Sequence, residues 1–408
     1  MGLFSRKHYQ ATGSLGRLAW RRLLKNRMAV ASVAIILLTI LISILGYLVT
    51  PDKTPYANDQ NLVLTTRKPG FSVTMLKVRK NEPVPRSNLL SLMMFGRKSE
   101  YQQIPVTAYT FTDSTIAVTE YEGEGITGKR STFNLADVVY PVAGKPLFNQ
   151  SNDRTTFTTI NGKRLSLTSA GLRDEIQKHN LVKKKYLLGT DRYGRDVLSQ
   201  LMIGARVSLS VGFISVLISL VVGIFMGAVA GYFRGWIDNV IMWFINVIWS
   251  VPTLLLVIVI TFTLGKGFWQ VFIAVGLTMW VEVARVVRGQ FISLREKEFV
   301  EAGKALGFSN KRIIFRHILP NSMAPVIVIS AANFASAILL ESGLSFLGIG
   351  VQPPMPSWGT MIKENYAYII LDYAYLAILP GIAIMVMVLA FMLLGNALRD
   401  ALDVKTIG

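Results

Sequence analysis

Apolar runs long enough to cross a membrane recur along the chain, with polar segments between them. The first run, Met28–Val49, holds no charged residue, and as a helix it is long enough to cross the ~30 Å hydrocarbon core of a bilayer. The runs return after a long polar stretch. We predict five further spans, over residues 208–232, 240–264, 268–287, 322–344 and 374–395. The pattern therefore predicts an all-α polytopic membrane protein with six transmembrane helices.

The polar stretch over residues 51–185 has a different pattern. Residues 107–121 alternate as a strand with a turn inside it. Residues 155–169 give a hairpin signal, with Asn161–Gly162 placed for a type I′ turn. Residues 172–180 favour a short helix. We predict a β-rich domain inserted between the first and second helices.

The distribution of charged residues predicts which of these segments lie in the cytoplasm. The 288–321 loop is rich in Lys and Arg, whereas the 345–373 loop has Lys363 as its one basic residue. Basic loops stay in the cytoplasm, so we expect this loop and both termini to be cytoplasmic and the 51–185 domain to be extracytoplasmic. The net charge of +19 then indicates contact with anionic lipid, because no nucleic-acid motif accompanies it.

The sequence has few of the residues that usually bind metals or act in catalysis. The sequence has no Cys and three dispersed His, which argues against a disulfide, a metal site or any other cofactor. Residues 123–129 match the start of a phosphate-binding loop, but Arg130 stands where Ser or Thr would bind magnesium. We therefore expect no enzymatic activity, and any ATP hydrolysis would belong to a partner subunit.

A basic amphipathic stretch, Glu301–Pro320, lies between the fourth and fifth spans. It predicts two short helices, with Gly307 in the left-handed position that ends the first and Ser309 or Asn310 capping the second. Pro320 is expected to end the second helix. Such a hairpin either docks on a protein in the water phase or lies on anionic lipid.

The hairpin resembles the EAA loop of ABC importer permeases, a motif of Glu-Ala-Ala, three residues, Gly, nine residues and Ile-x-Leu-Pro. Glu301, Ala302, Gly307, Leu319 and Pro320 match it, while Gly303 and His317 depart from it. Residues 188–212 and 344–359 are similar to two further segments of the dipeptide and oligopeptide permeases (DppC/OppC type). The resemblance covers residues 1–50 loosely and 186–404 closely.

This resemblance implies a type I ABC importer permease fold in a bacterial inner membrane. Residues 1–50 would form the cytoplasmic N-terminus and first helix, 51–185 the insertion, and 186–408 a five-helix core with its coupling hairpin at about 296–320. The implied partners are a second homologous permease, two cytoplasmic ATPase subunits, an extracytoplasmic substrate-binding protein and membrane lipid. The implied function is ATP-driven, binding-protein-dependent peptide import.

The resemblance and the residue chemistry together give candidate sites. Small residues at 302 and 303 would let a partner backbone approach. The ATPase-docking residues are Glu301, Ala302, Gly303, Ala305, Gly307, His317, Leu319 and Pro320. The outer-surface motif, where an ion-pair cluster is expected, is Gly189, Asp191, Gly194, Arg195 and Asp196.

Within the spans, Glu341 and Glu282 are candidates for the pathway or its gate. Glu282 is expected to pair with Arg285, and Pro252 to kink its helix. Glycines of the second span should form a face for close helix packing; they are Gly212, Gly223, Gly227 and Gly231.

Three alternatives stay open. The same machinery could import another solute, such as nickel or an opine. The spans could anchor a binding or sensor protein whose active part is the 51–185 domain. The chain could also be an ion-coupled secondary carrier.

Overall fold

A bundle of long apolar helices carries a smaller β-rich domain in the N-terminal half of the chain. The structure is a computed structural model and describes residues 15–85, 87–123, 125–265 and 267–402. Residues 1–14 and 403–408, which include the two termini predicted to be cytoplasmic, lie outside the described residues. The helices are α1 (Leu15–Lys25), α2 (Arg27–Leu45), α3 (Leu89–Phe95), α4 (Leu135–Val139), α5 (Ser169–Glu175), α6 (Val197–Phe233), α7 (Gly235–Trp249), α8 (Thr253–Leu264), α9 (Phe268–Arg295), α10 (Glu298–Ala305), α11 (Asn310–Ile313), α12 (Leu319–Phe346), α13 (Trp358–Asn365) and α14 (Tyr375–Leu402).

Within the described residues, five helical segments are long and apolar enough to cross a membrane. These segments contain α2, α6, α9, α11 with α12, and α14. The predicted span over 240–264 is instead two helices, α7 and α8, bent by 93° at a short break that ends at Pro252. The kink at this proline was expected, because proline removes a helical N–H and its ring clashes with the preceding turn. The pair adds a sixth span if it crosses as one unit.

Most spans extend beyond their predicted bounds. The second begins at Val197 rather than residue 208, because the Asp196 side chain caps α6 by accepting the N–H of Ser199. α9 continues to Arg295 and α14 to Leu402. The predictions followed apolar composition, whereas helices continue through polar residues until a cap or break ends them.

Close packing of α6 on α9 forms the centre of the bundle. A methyl group added at Gly223 would lie 2.6 Å from Val283 Cβ, and one at Gly231 would lie 2.6 Å from Phe291 Cβ. Gly227 approaches the Ala284 carbonyl in the same way, whereas Gly212 faces Phe334 of α12. The predicted glycine face is thus confirmed, with α9 as its main partner.

The β-rich domain lies between α2 and α6 in the chain, where the sequence predicts it. Its strands are β1 (Ser72–Arg79), β2 (Tyr101–Phe111), β3 (Thr115–Glu120), β4 (Arg130–Asn134), β5 (Leu147–Asn149), β6 (Arg154–Thr158), β7 (Arg164–Thr168) and β8 (Leu181–Lys185). One antiparallel sheet has the order β4-β3-β2-β1-β8, and a second has the order β5-β6-β7. Leu76, Ile116, Leu135 and Leu172 belong to the buried cluster that joins the first sheet to α4 and α5. The predicted hairpin is β6–β7 and the predicted short helix is α5, so both are confirmed.

Candidate functional site

The hairpin between α9 and α12 has the predicted helix–glycine–helix form. α10 ends at Ala305, and Gly307, just past its C-cap residue Leu306, has a φ of +75°. The Gly307 N–H donates to the Lys304 carbonyl (2.9 Å), and the Phe308 N–H donates to the Gly303 carbonyl (3.0 Å). This pair of bonds is a Schellman motif, which satisfies the last carbonyls of a helix and favours glycine at the left-handed position. The chain then turns into α11, where Ser309 Oγ accepts the Arg312 N–H as its N-cap.

Pro320 does not end the second helix, contrary to the sequence prediction. A π-helical turn, Ile314–Ile318, joins α11 to α12, and Pro320 lies in the first turn of α12. Near a helix start the missing N–H of proline costs little. The hairpin therefore continues through the π-helical turn into the span that follows it, over Asn310–Phe346.

Phe308 is the centre of the hairpin's own packing. Its ring is stacked with the His317 ring at 5.6 Å between centroids, and the Arg312 guanidinium carbon lies 3.9 Å from its centroid. Gly303 is buried, and a methyl group there would lie 3.3 Å from Phe308 Cδ2. Gly303 therefore makes room for Phe308 in this structure, and its part in docking stays a prediction.

Buried apolar side chains fix the hairpin to the bundle. Val300 of α10, Ile313 of α11 and Ile318 belong to one cluster with Phe291 of α9, and each of these four side chains is at most 1% exposed. A polar contact adds to the cluster, because Tyr232 Oη at the end of α6 donates to Asn310 Oδ1 (2.7 Å). A force applied to the hairpin would therefore pass directly into α6, α9 and α12.

One face of α10 is not covered by the rest of the chain. Glu301, Ala302 and Ala305 are exposed, and Leu306 is 73% exposed. Phe315, on the π-helical turn, is 67% exposed. Small side chains beside exposed large apolar ones, on a rigid support, form a surface suited to a protein partner.

The predicted docking residues divide into two groups. Five are exposed on the hairpin surface: Glu301, Ala302, Ala305, Gly307 and Pro320. Gly303 is buried, and His317 and Leu319 are half-buried. In the second group, His317 and Gly303 both contact Phe308 and so belong to the packed interior of the hairpin.

The outer-surface motif forms a compact turn before α6. Arg195 pairs with Asp191 (2.6 Å) and with Glu364 of α13 (2.6 Å), and both side chains of the first pair are at most 7% exposed. Burial raises the pKa of the Asp191 carboxyl above its ordinary value, and the Arg195 guanidinium opposes that shift. Asp196 is not part of the ion pairs; it caps α6.

Arg195 thus joins one of the motifs that carried the resemblance to a helix that begins in another. The turn over residues 189–196 meets α13, whose first two residues, Trp358 and Gly359, end the 344–359 segment. A second link is the Trp358 indole N–H, which donates to the Leu201 carbonyl of α6 (3.0 Å). Sequence reasoning missed Glu364, although an acidic residue in a loop with few charges, opposite a cluster containing arginine, was an available signal.

Glu341 is fully buried at 0% exposure in α12. Its carboxylate accepts hydrogen bonds from Ser208 Oγ of α6 (3.2 Å) and Ser345 Oγ (2.7 Å). Ser345 Oγ in turn accepts the Val351 N–H (3.2 Å). In this conformation Glu341 holds α6, α12 and the following loop together and does not line an open path.

Glu282 is exposed at the edge of a cavity of about 300 Å³ between α9, α12 and the α7–α8 bend. The predicted Glu282–Arg285 ion pair is not formed among the described residues. Arg285 turns instead to α7, where it donates to Asn246 Oδ1 (2.8 Å) and lies 3.5 Å from the Trp249 ring centroid. The aromatic face and amide of a neighbouring helix replace the carboxylate as its partner.

Among the described residues, five or six helical segments are long and apolar enough to cross a membrane, which is the architecture of a polytopic membrane protein. Sequence models of two families match it. "Binding-protein-dependent transport system inner membrane component" matches residues 219–408, and "N-terminal TM domain of oligopeptide transport permease C" matches residues 14–69.

Several curated proteins are similar to the chain. The dipeptide transport system permease protein DppC of Alkalihalophilus pseudofirmus is 43% identical over 221 residues, which cover 54% of this chain and 72% of that protein. The glutathione transport system permease protein GsiD of Pectobacterium atrosepticum is 40% identical over 53% of this chain and 72% of its own. The oligopeptide transport system permease protein OppC of Bacillus subtilis is 36% identical over 54% of this chain and 72% of its own.

Among solved structures, an inward-facing MetNI methionine ABC transporter matches 50% of this chain and 97% of its own, at 17% identity and a TM-score of 0.42. That score is too low to add to the fold assignment. On the sequence relatives, the chain belongs to the binding-protein-dependent transport system inner membrane components, which are membrane-embedded permease subunits of ABC transporters.

Proposed function

We propose that this chain is a permease subunit of an ATP-driven peptide importer in a bacterial cytoplasmic membrane. Family membership supports the permease assignment, and relatives named for dipeptide, oligopeptide and glutathione transport support a peptide-like solute. In the working form it pairs with a second homologous permease, two cytoplasmic ATPase subunits and an extracytoplasmic binding protein.

The observation that carries the mechanism is the rigid hairpin. Its exposed face would dock on the ATPase subunit, while its buried face is fixed to α6, α9 and α12. ATP-driven closure of the ATPase pair would then rotate the bundle between inward-facing and outward-facing states. Under this proposal the hairpin and both termini lie in the cytoplasm and the β-rich domain lies outside.

A groove of about 910 Å³ between α9, α12 and α14 is a candidate for part of the solute path. Its lining is largely apolar but includes Gln290, Asn321, Asn396 and Arg399. Polar side chains at such a surface mark a path or a subunit contact, because facing them to lipid is costly. We propose that the second permease closes this groove. Glu341 would serve as a fixed support of the loop that follows α12.

The docking surface is tested by Leu306→Asp in the full chain, expressed with its ATPase and second permease. An aspartate at this exposed position leaves the fold intact but places an unpaired charge in the contact. We expect the copurifying ATPase and the ATP-dependent uptake of labelled dipeptide to fall at least about tenfold, a loss of about 1.4 kcal/mol. The matched control is Leu147→Asp, which alters a side chain that is 71% exposed in the β-rich domain.

Other outcomes select the alternatives. Uptake that persists without bound ATPase and follows a proton gradient would make the chain a secondary carrier. Full activity in Leu306→Asp combined with its loss on removal of residues 51–185 would favour an anchored binding or sensor protein. Nickel or an opine competing where dipeptides do not would change the solute and keep the machinery.

A further inference from the structure

α3 is an apolar helix with almost no cover from the protein. Its sequence is LLSLMMF, and none of its side chains is buried. Leu89, Leu90 and Phe95 are 69%, 69% and 70% exposed, and Met94 is 50% exposed. In water this surface would be unfavourable for so short a helix.

Arg206 of α6 holds α3 at the end of the first span. Its guanidinium donates to the Met94 carbonyl (2.6 Å), to the Met93 carbonyl (2.9 Å) and to the Ser43 carbonyl (2.9 Å). Ser43 lies in the last turn of α2, so the arginine satisfies carbonyls at the ends of both helices. α3 is therefore level with the point where α2 leaves the hydrocarbon core.

A basic groove lies directly beside α3. Arg97 and Lys98 follow the helix, and the Arg97 N–H donates to the Lys53 carbonyl (2.8 Å). The groove has a volume of about 500 Å³, and its lining includes Lys77 of β1 and Lys183 of β8. In all it has six basic and two acidic side chains.

Much of this positive charge is free to act on a ligand. Within the described part of the chain, no ion pair is formed by Lys53, Lys77, Lys98 or Lys183. One of the two acidic side chains, Asp52, is 4% exposed and accepts the N–H groups of Thr54 and Asp59. The groove is thus a positively charged surface that adjoins an apolar one at the membrane boundary.

We propose that α3 lies in the membrane interface at the C-terminal end of α2 and that the groove binds the phosphate headgroup of an anionic phospholipid there. An apolar helix face next to basic side chains is the arrangement by which proteins hold anionic lipid. The acyl chains would lie against α3, and the headgroup would reach Lys53 and Lys98. The proposal requires that α2 spans the membrane and is independent of the transported solute.

The depth of α3 is tested with a single spin label. The sequence has no cysteine, so Leu90→Cys and the control Leu147→Cys each give one label on the full chain in lipid nanodiscs. We expect the label at position 90 to collide with oxygen and to be shielded from a water-soluble nickel reagent, with the opposite result at 147. Equal access of the nickel reagent to both labels would overturn the proposal.

The headgroup site is tested by lipid retention. The full chain is extracted from nanodiscs with and without phosphatidylglycerol, and bound lipid is counted by native mass spectrometry. For Lys53→Gln with Lys98→Gln we expect phosphatidylglycerol affinity to fall roughly 30-fold, which corresponds to about 1 kcal/mol for each lysine. The control, Lys145→Gln with Lys163→Gln, removes the same charge from exposed positions in and near the second sheet and should leave affinity unchanged.

Three results would refute the lipid site. Equal phosphatidylglycerol affinity in the two double variants would show that the groove does not bind the headgroup. Inorganic phosphate that binds without lipid and displaces phosphatidylglycerol would make it a site for the free anion. Loss of an acidic binding protein from the Lys53 and Lys98 variant, with lipid retention intact, would make it a protein-docking surface.

Discussion

Gly223→Ala tests the close contact of α6 with α9. The added Cβ would lie 2.6 Å from Val283 Cβ and 2.8 Å from the Trp280 carbonyl oxygen. Carbon atoms in contact are normally 3.5–4.0 Å apart, so the two helices must separate locally by about 1 Å. One obstacle is a backbone atom, which no rotamer change can move out of the way.

The magnitude follows from two opposed effects. Overpacking of a well-packed interior costs about 1–3 kcal/mol. Alanine is favoured over glycine in a helix by about 1 kcal/mol. Because the overlap is large, we take the upper part of the first range and expect a net destabilisation of about 1–2 kcal/mol.

The assay is thermal unfolding of the full chain in detergent, followed by tryptophan fluorescence. Trp280 lies at the contact and reports on it directly. The control is Gly289→Ala, the same change in α9 at a site with nothing within 4 Å of the added methyl group. We expect the apparent Tm of Gly223→Ala to lie about 2–8 °C below that of the unsubstituted chain. It should lie further below that of the control, which keeps the helix-propensity gain of alanine. A Tm equal to or above the control would refute the packing of α6 on α9 described here.

Three more contacts are tested by substitution. Arg288 donates to both carboxylate oxygens of Asp238 at 2.5 and 2.6 Å. Arg288→Gln should lower the free energy of unfolding by about 1–3 kcal/mol. Adding Asp238→Asn should recover part of that loss in a double-mutant cycle. Glu341→Gln places an amide N–H₂ beside serine hydroxyls and should cost about 1–3 kcal/mol, with faster proteolysis of residues 347–357 as the readout. Phe308→Ala should speed amide hydrogen exchange in residues 298–313 and leave the spans unchanged, since Phe308 holds the hairpin's interior together; unaltered exchange would contradict this.

Sequence patterns predicted the parts of the fold that depend on contacts between residues close together in the chain. The first span, the glycine face of α6 and the left-handed Gly307 each follow from residues that are close in sequence. The β6–β7 hairpin follows from alternation around a turn, although Gly162 has a positive φ and Asn161 does not. A type I′ turn needs both, so the detailed turn type was wrong.

Contacts distant in sequence could not be predicted in this way. The pairing of β1 with β8 joins strands about a hundred residues apart, and the Arg195–Glu364 ion pair joins a turn before α6 to a helix after α12. Both depend on how the whole chain folds, which no single-sequence period encodes. The inward position of Gly303 was missed for another reason, since Phe308, which packs on it, lies close in sequence but across the turn.

The pairing of β1 with β8 also explains how this chain accommodates so large an addition. Ser72 at the start of β1 lies opposite Lys185 at the end of β8, and Cα atoms opposed in an antiparallel pair are about 5 Å apart. The match to the permease N-terminal family ends at residue 69, just before this point. The domain therefore enters and leaves through one narrow neck. A lineage could acquire or discard it as one unit, with a short loop closing the gap between residues 72 and 185.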